Sequence, residues 1–146
     1  MGVQRLASLL TLLLACWVTE VSADEYTLTP AQMAQLWRDA GGTRATCAVA
    51  VAVATAESSL NCEAYNVNPA KNGKPQTIDR GLFQINSFYH ADVDRECAYD
   101  CVCNVREALR ISRKGTNWTP WTTFKNNLHS PYLPRATEVC MHVYSA

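Results

Sequence analysis

Beyond residue 28, apolar positions recur at helical spacing over several stretches, separated by clusters of glycine, proline and asparagine. Thr29-Pro30-Ala31-Gln32 has the form of a capping box, with the Thr29 hydroxyl set to accept from first-turn amides and Gln32 to reach back. Gly41-Gly42 supplies a stop, so the pattern predicts a helix over residues 31–40. Residues 44–58 are alanine-rich. Val49 and Val53 lie four apart, as on one helical face, while Val49, Val51 and Val53 equally satisfy a strand's alternation; the alanines at 48, 50, 52 and 54 favour helix.

From residue 61 to 77 the chain is rich in Asn, Pro, Gly and Lys, including Pro69, Gly73 and Pro75, which predicts a long surface loop containing one hairpin. Helical spacing returns over 98–114 through Val102, Val105, Ala108 and Leu109, with Arg113 and Lys114 suited to a helix C-terminus and Gly115 ending the run. Thr119-Pro120 and Ser130-Pro131 each set a capping residue before proline, predicting short helices near 120–125 and 131–143. The elements predict a mostly helical α+β domain with a small loop or β insert.

At the N-terminus, Arg5 precedes an apolar run over residues 6–18, and Val21-Ser22-Ala23 provides small residues for cleavage. Residues 1–23 read as a signal peptide, with a mature domain over 24–146 and a secreted, extracellular destination. The run is too short to cross a bilayer, so no membrane span is expected. Removing Arg5, Glu20 and Cys16 leaves charge balanced and six cysteines: Cys47, Cys62, Cys97, Cys101, Cys103 and Cys140. Balanced charge gives nucleic-acid binding no support. Six cysteines in a short secreted chain predict three disulfides, with the pairing open apart from Cys101 and Cys103, which stand too close to pair with each other. The spacing lacks the paired CxxC or His ligands of a zinc site.

The stretch with chemistry begins at Glu57-Ser58 with Asn61, continues through Ala64, Asn66 and Asn68, and ends in Asp79-Arg80-Gly81-Leu82-Phe83-Gln84-Ile85-Asn86-Ser87. In order and content this resembles the lysozyme superfamily, looking most like the animal C-type core. Trp118-x-x-Trp121 downstream strengthens the match, and Asn104 with Ala108, Ile111 and Gly115 is similar to a later motif of bacterial lytic transglycosylase domains. The resemblance covers residues 57–124. The chain carries fewer cysteines than C-type lysozymes, and its loop between Asn68 and Asp79 is longer.

The resemblance implies cleavage of a glycosidic bond, which needs a carboxyl still protonated near neutral pH to hand its proton to the leaving oxygen. Glu57 is the implied acid. The end of a helix and apolar cover from Trp118 or Trp121 would both disfavour its charged form, an argument established for lysozymes and brought here through the resemblance. Asp79 is the implied second carboxylate, with Asn68 and Asn86 placed to orient it or the sugar. Gln84, Asn86, Tyr89 and Trp118 are the implied substrate contacts, Tyr89 as a stacking platform, whereas Phe83 and Phe124 are expected to pack. His90 is expected to lie exposed without acting.

Asp92, Asp94, Glu96 and Asp100 form an acidic run. Cys97 stands where a calcium loop needs glycine, so solvated carboxylates at a helix start are the preferred reading and no metal is assigned. Asn117-Trp118-Thr119 fits a glycosylation sequon followed by Pro120, and occupancy is not expected. The combined expectation is a monomeric muramidase, bacteriolytic and free of cofactors, acting on peptidoglycan or chitooligosaccharide. A lytic transglycosylase leaving 1,6-anhydro ends is the first alternative. A non-catalytic carbohydrate-binding or partner-binding relative is the second, and the presence of both Glu57 and Asp79 argues against it.

Overall fold

The computed structural model describes residues 26–146; the expected signal peptide, residues 1–23, and Cys16 lie outside the described residues. The described chain runs α1 (Pro30–Asp39), α2 (Arg44–Ser58), β1 (Tyr65–Asn68), β2 (Thr77–Arg80), β3 (Ile85–Asn86), α3 (Arg95–Tyr99), α4 (Cys101–Ile111), α5 (Thr122–Lys125), a 3-10 turn (Ser130–Tyr132) and α6 (Leu133–Val143).

Helix α1 starts as its local chemistry dictates. The Gln32 amide donates to the Thr29 hydroxyl at 3.2 Å and the Thr29 amide to the Gln32 side chain at 2.8 Å, closing the capping box with Pro30 in the first turn. It ends against a close approach: a Cβ built on Gly42 would lie 2.2 Å from Nε1 of Trp37. The ambiguous stretch 44–58 is helical. Helix α2 buries Cys47, Ala50, Val51, Ala52, Val53 and Ala54, and packs against both α1 and α6. A helix enclosed on several sides shows little amphipathic pattern, and its small alanines let the neighbouring helices approach.

The expected hairpin is present in the stretch 61–77, with its second strand running on to Arg80 as part of a three-stranded sheet. Strands β1 and β2 pair antiparallel with Asn66 opposite Asp79 and Asn68 opposite Thr77, and β3 adds to β2 with Asn86 opposite Asp79. The single helix expected over 98–114 is two helices. Asp100 ends α3 and its carboxylate accepts from the Cys103 amide at 2.7 Å to begin α4, while Asp94 does the same for α3 through the Cys97 amide at 2.7 Å. Thr119 and Ser130 are not the caps. Thr119 donates to the side chain of Asn117, Ser130 donates to the Asn127 carbonyl from inside the 3-10 turn, and Trp121 occupies the position before α5.

Cys47 pairs with Cys140, Cys62 with Cys101 and Cys97 with Cys103. The first ties α2 to α6 across a separation of 93 residues, a loop whose closure stabilises by about 4 to 5 kcal/mol in a chain-entropy account. At the centre of the core, Phe83 lies 6.0 Å from both Trp118 and Trp121, ring centroid to ring centroid, with Trp37 behind. These rings fix the floor of the site.

Candidate active site

Four segments distant in sequence meet through buried and half-buried polar bonds. Ser58, last residue of α2, donates to the Leu82 carbonyl at 2.8 Å, joining the helix end to the turn after β2. Asn104 on α4 is fully buried with its amide completely used: Oδ1 accepts from the Phe83 amide at 2.9 Å, and Nδ2 donates to the carbonyls of Ala98 at 2.7 Å and Arg80 at 3.2 Å. Gly81 passes so close that a Cβ there would lie 2.0 Å from the Ala98 carbonyl, and its φ of +71° is in the left-handed region. Trp121 completes the junction by donating from Nε1 to the Phe83 carbonyl at 2.8 Å.

Above this junction opens a groove of about 690 Å³. Its helical wall is Glu57, Ile111, Trp121, Thr122, Thr123 and Leu128; the facing wall is the hairpin with Asn68, Lys71, Lys74, Thr77 and Asp79, extended by Asn86 and Tyr89.

Glu57 lies in the last turn of α2, where the helix dipole opposes negative charge. Burial pushes its carboxyl above the ordinary value of 4.5, and the charge of Asp79 pushes the same way; hydrogen bonding by Thr123 pulls against both. The Thr123 hydroxyl donates to Oε1 at 2.5 Å, and the Thr123 backbone adds to the hydrogen bonding of the same carboxyl. Thr123 is a site residue the sequence did not reveal.

Asp79 is held entirely by amides. Asn68 donates to Oδ2 at 2.8 Å and Asn66 more loosely at 3.5 Å, while Asn86 donates to Oδ1 at 2.7 Å. The Thr77 hydroxyl accepts from both Asn68 and Asn86 and locks their orientation. Asn86 also accepts from the amides of Phe88 and Tyr89, so one side chain positions the carboxylate and the aromatic turn together. Tyr89 is 64% exposed at the groove, its ring meeting Phe88 edge-on at 5.4 Å.

Of the implied site residues, Glu57, Asn68, Asp79, Gln84, Asn86 and Tyr89 all line the groove, and Trp118 does not. Trp118 is 4% exposed, donates from Nε1 to the Gly115 carbonyl at 2.9 Å and stacks on Phe83. It is a core residue; Trp121, three positions on, presents the indole that faces the groove. Gln84 holds the turn from below, its Nε2 donating to the carbonyls of Ala64 and Gly81. Phe83 packs as expected, and Phe124 stacks on His129 at 4.6 Å. His90 is half-buried in the groove wall rather than exposed, and burial lowers its pKa. The acidic run is occupied in structure: Asp94 and Asp100 cap helices, and Asp92 pairs with Arg110 at 2.7 Å.

Among the described residues no cluster of acidic, cysteine or histidine side chains is arranged to hold a metal, and no helix is long and apolar enough to cross a membrane. A family model described as a lysozyme-like domain matches residues 34–123, from within α1 to Thr123. No curated protein and no solved structure gives a significant match.

Proposed function

The chain belongs to the lysozyme-like domain family, and from that premise we propose that it is a secreted muramidase, working as a monomer, that hydrolyses the β-1,4 bond between N-acetylmuramic acid and N-acetylglucosamine. The observation that carries this reading is the unequal environment of two carboxyls on opposite walls of one groove. Burial pushes the Glu57 carboxyl above its ordinary value, while Asp79 is held in place by three side-chain amides. Divergent environments of this kind separate an acid from its anionic partner.

In the proposed reaction, Glu57 delivers its proton to the glycosidic oxygen as the bond to the anomeric carbon breaks. Positive charge then spreads over that carbon and its ring oxygen, and Asp79 either stabilises it or bonds to the carbon. Ionised Glu57 next takes a proton from water as the hydroxyl adds to that carbon, displacing the Asp79 carboxylate where it has bonded, and the acid is restored. The exposed Tyr89 offers a face for a sugar ring, and Trp121 contributes a buried, apolar part of the groove wall. The fixed position of Asp79 favours hydrolysis over attack by the sugar's own 6-hydroxyl. The latter, the transglycosylase outcome, leaves a product one water lighter, which mass spectrometry of released fragments separates.

Purified protein should clear cell-wall suspensions, and Glu57→Gln should remove at least about a hundredfold of that rate, the scale of losing a general acid. Because the folded pKa of Glu57 is raised, its favourable contribution is present below the unfolded value and lost as pH rises through the folded one. Glu57→Gln escapes that loss, so the variant should melt higher than wild type at pH 7 and lose the advantage in acid. Undiminished clearing by a folded variant overturns the assignment.

A further inference from the structure

The hairpin tip carries a feature that the catalytic reading does not use. Asn72 and Gly73 both have positive φ, 53° and 75°, the conformation of a two-residue turn matched to the twist of a hairpin. Lys71 and Lys74 flank that turn and exchange both backbone hydrogen bonds, at 3.2 and 3.0 Å. They are therefore directly opposite one another, in the register that sets Asn66 against Asp79 lower down. Between the two pairs stand Pro69 and Pro75, which cannot donate and interrupt the ladder. Both lysines line the groove.

Two cations directly opposite on a hairpin repel, and a sequence chosen for local stability would place an acid at one position. Both are exposed, and the ion pairs among the described residues, made by Arg38, Arg110 and Arg135, involve neither. The acids in the groove wall are Glu57 and Asp79. Asp79 is already ringed by amides, and neither lysine is among the groups that move the titration of Glu57. The paired charge thus has no partner within the groove and faces the space that a bound glycan fills. A local electrostatic conflict retained at a binding cleft points to a ligand that relieves it.

We propose that Lys71 and Lys74 form a cationic clamp for a carboxylate carried by the glycan, making the enzyme selective for acidic peptidoglycan strands over uncharged chitin-like ones. This rests on the glycosidase reading and names its substrate class. The carboxylate has two possible sources with the same chemistry, the lactyl group of muramic acid and the end of an attached peptide.

Binding separates the clamp from catalysis. In Glu57→Gln protein, calorimetry at low salt compares a muramic-acid tetrasaccharide, with and without peptide stems, against the same compounds with carboxylates converted to methylamides. The acid forms should bind about five- to tenfold tighter than the amides, the scale of two exposed ion pairs, and about 0.5 M salt should erase the difference. A preference seen without peptide assigns the lactyl group, and one that requires peptide assigns the stem. Adding Lys71→Gln and Lys74→Gln should reduce the ratio below about twofold, while Lys71→Arg with Lys74→Arg should retain it. An unchanged ratio in the glutamine variant, equal binding of acid and amide by the parent, or no binding of either overturns the clamp. Failure of wild-type protein to cut any of these strands overturns the glycosidase reading alone.

Discussion

On the helical wall of the groove, Glu57 is held by exclusion of water, with Trp121 over the Phe83 carbonyl and one hydroxyl, from Thr123, against the carboxyl. On the hairpin wall, Asp79 is held by donors, with Asn66, Asn68 and Asn86 around it and Thr77 bracing two of them, on a half-buried strand beside a largely exposed one. Burial favours the neutral form of one acid; directed hydrogen bonds fix the other in place. The walls also differ in their stake in folding, because the helical wall is continuous with the aromatic core and the hairpin is attached to it through the buried Asn104 and the turn at Gly81. Damage to the first should unfold the protein, and damage to the second should leave a folded, slow enzyme.

Trp121→Ala tests the first half most severely. It empties a buried indole site and strands the Phe83 carbonyl, and should lower unfolding free energy by about 3 to 5 kcal/mol in a urea titration. A loss under about 1 kcal/mol would mean that the helical wall does not depend on the core beneath it.

Asp79→Asn tests the contrast from the other side. Replacing an acceptor oxygen with an amide sets two donors against each other, yet the site is only half-buried, so stability should fall by no more than about 2 kcal/mol. Turnover should fall by about a hundredfold, the scale of removing one electrostatic stabiliser. Wild-type turnover in this variant would leave Glu57 acting without an anionic partner.

The smallest effect is one of position on the pH axis. Thr123 donates to Glu57 and favours its ionised form, so Thr123→Val raises the Glu57 pKa further. In the proposed reaction, activity needs the protonated acid and declines as pH rises through that pKa. The alkaline limb of the rate profile should therefore move to higher pH in the variant, while the glutamate itself is untouched. A limb that stays in place or moves toward acid would show that the hydroxyl does not act on the carboxyl.

Much of this was legible along the chain because the signals are local. The Thr29 and Gln32 box specified the start of α1, the alanines of 48–54 carried α2, and the ordered run from Glu57 to Asn86 located residues that do line one groove. Other signals were present and missed. Asn72-Gly73 marks a two-residue turn and so the pairing of Lys71 with Lys74, and Asp100 three residues before Cys103 is a cap within what reads as one continuous helix. Trp118 and Trp121 offered no such signal. Both are tryptophans at or shortly before the start of α5 and both lie 6.0 Å from Phe83; only the tertiary arrangement decides that Trp121 lines the groove.

The sequence alone determined where α1 begins, which segments are apolar and which carboxyls stand in a glycosidase-like motif, because those depend on bonds within about four residues and on side-chain type. Tertiary structure alone decided that Thr123 meets Glu57 across 66 residues, that Cys47 finds Cys140, and that burial shifts one half-buried carboxyl while the other is ringed by amides. Solvent exclusion and long-range hydrogen bonding are properties of what surrounds a residue in space, and the chain's order does not state them.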